Sequence, residues 1–185
     1  MPRRKIISDD AVLDAALEVI FRHGPAEFTL ADVSARIGIA PATLLQRFGD
    51  KRRLVVAAVE RDNAAFFRML DRLPPTQGPA AVIAVFRLIT PDLDDADRFA
   101  DQLLWLHQDM RDPDLNALAR ARFERLRAAV AQRLPRLHLS ADKAAHLIEA
   151  QWQGALIQWG VTREGRLVDF VTQALANWFA LARKG

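Results

Sequence analysis

Apolar residues recur at three- and four-residue spacing from one end of this chain to the other, and Gly or Pro breaks the pattern at intervals. Leu13, Ala16, Leu17, Ile20 and Phe21 show it first. They occupy i, i+3, i+4, i+7 and i+8, one side of an α-helix. Strand signals are nearly absent: β-branched runs are few, no Asn-Gly hairpin turn occurs, and there is no Tyr. The chain is expected to be all-α.

Punctuation sets the helices. Ser8 can cap the first, Asp9 and Asp10 sit favourably in its first turn, and Gly24-Pro25 is expected to end it. Thr29 is the next cap, with Asp32 in the acidic slot of a capping box. Leu30, Val33 and Ile37 face inward, and Gly38 breaks this short helix. A third helix starts at Pro41, buries Leu44 and Phe48, and stops at Gly49. A longer one follows from Lys51 to about Leu73, and Pro74 to Pro79 is the clearest break. Further helices read as 80–90, 94–110, 113–134, 140–160 and 164–184.

Composition narrows the function. With 185 residues, 51% hydrophobic and 26% charged, the chain is long enough for one ordinary domain or two small ones. Net charge is only +3, so a case for an anionic partner rests on where the charges sit. There is no Cys, which removes disulfides and thiol chemistry and is compatible with a cytoplasmic setting. The basic start, Met1 to Asp10, has no apolar run behind it and does not read as a signal peptide; no window reads as a membrane span.

Lys51, Arg52 and Arg53 open a helix, where the dipole disfavours cations. Two short helices joined at a Gly and buttressed by a longer one match a helix-turn-helix, whose second short helix enters the DNA major groove. Pro41, Ala42, Thr43, Gln46 and Arg47 are its expected exposed positions. A phosphate at the next helix terminus would relieve the three cations. Arg3, Arg4 and Lys5 would add a basic arm.

The run FTLADVSARIGIAPATLLQRFGDKRRLV (28–55) resembles the N-terminal domain of TetR-family transcriptional regulators, through Thr29, Gly38-Ile39, Thr43-Leu44, Phe48 and Lys51. The resemblance covers about residues 6–66. It implies a basic arm over 1–5, a DNA-binding head over 6–66 with its motif at about 29–48, and a helical effector-binding and dimerisation domain over 67–185. It implies phosphate contacts at Thr43 and Lys51, and a base-facing side at Pro41, Ala42, Gln46 and Arg47. Thr29 belongs with this DNA-binding set. Three positions depart from the family: Ala40 stands where Ser or Thr caps, Leu45 where a Tyr contacts phosphate, and Arg47 where His is usual. Arg47 then restores a phosphate contact or reads a guanine edge, and Leu45 meets a thymine methyl.

In the rest of the chain, Ile148, Trp152, Ala155, Leu156 and Trp159 form one stripe, and Val168, Val171, Leu175, Trp178 and Phe179 another. Core packing explains such stripes; the resemblance instead makes them a homodimer interface. Phe86, Phe99, Leu103, Trp105, Leu106, His107 and Met110, with Gln102, Gln151 and Gln158, are candidates for an effector pocket and equally for helical core. Phe99, Gln102, Trp105, His107 and Gln151 form the candidate ligand-binding set. Asp92, Asp94, Asp95 and Asp97 lack the pattern of a calcium loop and read as helix-start chemistry. Arg120 to Arg127 reads as a solvated face. No metal spacing, activated nucleophile, acid/base pair or phosphate loop is present, so neither a cofactor nor an enzyme is expected. The expectation is a ligand-responsive repressor that binds an inverted-repeat double-stranded operator as a homodimer, released by a small hydrophobic effector. The alternative is a helical small-molecule-binding protein whose DNA-binding head is altered or lost.

Overall fold

The computed structural model describes residues 7–90 and 96–182, the side chains at 25, 26, 96–102 and 104 excepted. Among them are nine helices and no strand: α1 (Asp9–Glu27), α2 (Leu30–Ile37), α3 (Pro41–Phe48), α4 (Lys51–Asp71), α5 (Pro79–Ile89), α6 (Ala96–Arg111), α7 (Pro113–Ala131), α8 (Ala141–Thr162) and α9 (Leu167–Ala182). Every helix expected from the spacing is present, with ends within a few residues. One end differs: α1 runs on to Glu27 past a kink at Gly24 (φ 77°, ψ 158°), because a single Gly in that conformation bends the backbone and Pro25 is well placed to restart it.

Two compact units are formed. The first takes the chain up to Phe66 together with Asp101–Arg120; the second takes Phe67–Ala100 and Ala121–Gly185. The first unit therefore joins the α6–α7 corner to the helices expected over 6–66. Its core gathers Val12, Ala16, Val19 and Ile20 from α1, Phe28, Val33 from α2, Leu44 from α3, Leu54, Val55 and Ala58 from α4, and Leu115 from α7. Trp105 and Leu118 pack against it. Asn63, almost wholly buried, donates to the Leu118 carbonyl at 2.9 Å, so a polar side chain locks α4 to α7. The buried stripe of α1 lies slightly off the one expected: Val12 and Val19 take the inside, while Phe21 is half exposed and leans on Trp105 with ring centroids 6.1 Å apart.

In the second unit α9 packs on α8 and α5. Its buried residues include Val82, Val85 and Phe86 of α5, Leu126 and Val130 of α7, Ile148, Ala155 and Trp159 of α8, and Leu167, Val171, Leu175 and Phe179 of α9. Each fully buried large side chain contributes about 1.5–3 kcal/mol relative to exposure. Polar groups inside are matched. Trp152 Nε1 donates to Thr90 Oγ1 (3.0 Å), which donates to the Phe86 carbonyl (2.6 Å). The buried Arg133 donates to the carbonyls of Ala129 (2.8 Å) and Leu73 (3.0 Å), where the ends of α7 and α4 leave spare acceptors. From the run read as a solvated face, Arg125 pairs with Asp71 and Arg127 with the buried Glu149.

Burial holds the Glu149 carboxyl above its usual range, against the opposing charge and hydrogen bond of Arg127 and the charge of His146. A raised native value gives stability that is full below the unfolded value of 4.5 and is lost as pH rises through the native one. Glu149→Gln should therefore gain on the parent as pH rises above 4.5, the difference in Tm widening until the native carboxyl is fully ionised. A difference independent of pH would contradict the burial argument.

Candidate nucleic-acid interface

The turn between α2 and α3 is set at both ends. Thr29 caps α2 by accepting from the Asp32 amide at 3.2 Å, and Asp32 accepts the Thr29 amide at 2.7 Å. The Thr29 hydroxyl also donates to that carboxylate at 2.7 Å; this bond, then the backbone one, holds Asp32 below the usual carboxylate range. Gly38 closes α2 in the left-handed conformation (φ 73°, ψ 34°), its amide donating to the Ser34 carbonyl at 2.8 Å. Ala40 begins α3 with no side-chain cap; Pro41 at the first turn needs none for its missing N–H. Leu44 is buried and Phe48 half-buried, so α3 is anchored by one side.

The other side is open. Pro41, Ala42, Leu45 and Gln46 are exposed, Leu45 at 45%, and Thr43 is half-buried. Arg47 is not on the open side as expected. Its Nε donates to Asp9 Oδ1 at 2.7 Å, Nη2 reaches the same oxygen, and its guanidinium lies 5.8 Å from the Phe48 ring centroid. A carboxylate 38 residues away claims it.

The cations opening α4 are also accounted for inside the chain. Lys51 Nζ lies 4.1 Å from the Phe28 ring centroid. Arg52 donates to both Asp112 oxygens (2.6 and 2.7 Å) and to Asp114 (2.6 Å). That bonding keeps Asp112 below the usual carboxylate range, and raises Arg52 further still. Asp50, which the spacing does not single out, caps α4 by accepting the Arg53 amide at 2.8 Å and faces its guanidinium at 3.7 Å. The three cations at the terminus thus each have a contact within the chain. Asp50 was legible, as an Asp before a helix start; Asp112 and Asp114 were not, being 60 and 62 residues from Arg52.

The same acidic logic runs along α1. Asp10 and Asp14 take Arg61 of α4 (2.9 and 2.6 Å), and Glu18 takes Arg36 of α2 (2.7 Å). Asp10, Asp14 and Glu18 stand at i, i+4 and i+8, a like-charged row that needs such partners.

The described pocket candidates, Trp105, His107 and Gln151, are divided between the two units. Phe99 and Gln102 lie outside the described side chains. Trp105 sits in the first unit's core, with its buried Nε1 lacking a partner among the described residues. His107 is exposed on α6, and Gln151 belongs to the second unit. The basic arm and Asp92, Asp94 and Asp95 also lie outside the described residues.

The dimer set divides. Ile148, Trp159, Val171 and Leu175 are 0–2% exposed within one chain, so their apolar surface is already spent on the chain's own helices. Trp152, Leu156 and Trp178 are half-buried. Between α8 and α9 a groove of about 360 Å³ is lined by Gln151, Gln158, Phe170, Gln173, Asn177, Trp178 and Leu181.

A capped helix, a Gly turn and an anchored second helix define a helix-turn-helix. Residues 12–58 match the family model for bacterial regulatory proteins of the tetR family. The whole chain resembles solved structures of that fold. It is 17% identical to a transcriptional regulator from Rhodococcus sp. Rha1, covering 97% of both chains with a TM-score of 0.77. It is 19% identical to one from Saccharomonospora viridis in complex with choline, covering 91% of this chain and 93% of that one, TM-score 0.72. It is 22% identical to the multidrug binding protein EbrR complexed with malachite green, covering 93% and 98%, TM-score 0.67. No curated protein matches its sequence. Residues 12–58 are thus similar to the N-terminal domain of the tetR family, and the chain as a whole shares the fold of those solved structures. No helix among the described residues is long and apolar enough to cross a membrane.

A methyl group on the Gly38 Cα would meet open space, so Gly38→Ala should cost only the left-handed backbone, about 1–2 kcal/mol. Thr29→Ala should cost about 1 kcal/mol through the lost cap. Chemical denaturation measures both; neutral effects would contradict the geometry of the turn.

Proposed function

We propose that this chain is a ligand-responsive transcriptional regulator, a cytoplasmic repressor that binds an inverted-repeat operator as a homodimer and is released by a small hydrophobic effector. The observation that carries the reading is α3: anchored through Leu44 and presenting Pro41, Ala42, Leu45 and Gln46 to solvent. Gln46 is the side chain there suited to bidentate contact with adenine, and Leu45 to a thymine methyl. Thr43 and Lys51 remain the phosphate candidates. Bound choline and malachite green in two structures of similar fold support a small-molecule effector.

The homodimer surface proposed is the exposed rim of α8 and α9. Ile157 and Leu181 are 50% and 74% exposed there, beside Trp178 and the amides of the groove. A two-fold pairing would set two recognition helices a DNA turn or a multiple of it apart. Effector binding need shift the balance between DNA-matched and unmatched dimers by only about 1–3 kcal/mol. Within the first unit, the Arg52 bridges to Asp112 and Asp114 tie α4 to the α6–α7 corner, a mechanical route to the head.

A second reading, a ligand-binding protein with an altered head, is favoured by the uncapped Ala40 and the engaged Arg47. Selection from a random duplex pool separates the two. An enriched inverted repeat whose preference relaxes in Gln46→Ala supports the regulator; no enrichment in low salt supports the second reading. Leu181→Glu should convert the dimer to monomer in sedimentation, and an unchanged mass would place the interface elsewhere.

A further inference from the structure

From the sequence, Asp9 reads as a helix-start residue, and the structure gives it a second occupation. It is the carboxylate that holds Arg47, the one long cation of the recognition helix. The pair is poorly matched. Two of the three guanidinium nitrogens, Nε and Nη2, converge on a single oxygen, Oδ1, rather than one on each carboxylate oxygen. A guanidinium fork is best satisfied by two oxygens. The Asp9 side chain is 68% exposed, so water and salt weaken the attraction. The other group beside the guanidinium is the Phe48 ring, at 5.8 Å. A DNA phosphate offers two unshared oxygens and a full charge, and a guanine edge offers two acceptors.

We propose that Asp9 is an internal competitor for Arg47, setting how strongly α3 holds DNA by keeping its cation in reserve. The inference rests on the DNA-binding reading of α3. Arg47 leaves Asp9 when a phosphate or base edge comes within its reach, and each such contact is diminished by the bond that must break. Asp9 thereby lowers affinity for any duplex that engages Arg47.

The test is fluorescence anisotropy with a labelled mixed-sequence duplex in low-salt buffer, using the full chain and four variants. Asp9→Asn keeps the size of the side chain and removes its charge. It should tighten binding roughly threefold or more, the scale of one added phosphate contact. Asp10→Asn removes the same charge from the neighbouring position, where the partner is Arg61, and should tighten binding clearly less. Arg47→Ala combined with Asp9→Asn should fall back to the affinity of Arg47→Ala alone. Equal gains from Asp9→Asn and Asp10→Asn would overturn the proposal, because net charge alone would then account for them. A gain that survives Arg47→Ala would overturn it too, as would an affinity unchanged by Asp9→Asn. Absence of duplex binding in the parent and every variant would overturn the DNA-binding reading itself, and this inference with it.

Discussion

Helix α1 is the keel of the head. Its inner stripe, Val12, Ala16, Val19 and Ile20, is the surface on which the core of α2, α3 and α4 assembles. Its outer edge is a line of carboxylates, and each reaches a guanidinium on another helix: Glu18 on α2, Asp9 on α3, Asp10 and Asp14 on α4. Burial sets how close the helices come. The exposed ion pairs add little energy individually, but they fix which cations remain on the surface.

That division gives the proposed interface its character. The open side of α3 is small and uncharged: a Pro, an Ala, a Leu and a Gln. The cations nearby, Arg47, Lys51, Arg52 and Arg53, each have a contact inside the chain. Duplex binding by such a head would rest on rearranging ion pairs rather than on a preformed basic patch. The overall charge of +3 is consistent with this, since the acids that offset the bases sit within reach of them.

How much of this was legible in the sequence depends on how far apart the interacting residues lie. The capping box, the Gly38 turn and the Leu44 anchor depend on neighbours within four residues, and all three were readable. So were the nine helices, because Gly, Pro and helical periodicity are local signals. The claim on Arg47 by Asp9 spans 38 residues and that on Arg52 by Asp112 spans 60. No local pattern announces such a pair, although the acidic row on α1 was a clue. The stripes of α8 and α9 illustrate a different limit. Periodicity identifies an apolar face, but Ile148 and Leu175 are buried by their own chain and Leu181 is not, and spacing cannot tell these apart. The same limit applies to Trp105, a pocket candidate from the sequence that packs against the core of the first unit.

The central claim is that α3 and its flanking cations form a duplex-binding surface. The most direct test is the salt dependence of duplex affinity. Phosphate contacts release counterions, so affinity should fall along a straight line in log affinity against log salt, with a slope of about −0.9 per phosphate neutralised. A slope of about −2 would agree with Lys51 neutralising one phosphate from each head of a dimer, and a steeper one with Arg47 joining it. A flat line, or no binding even at the lowest salt, would contradict the account.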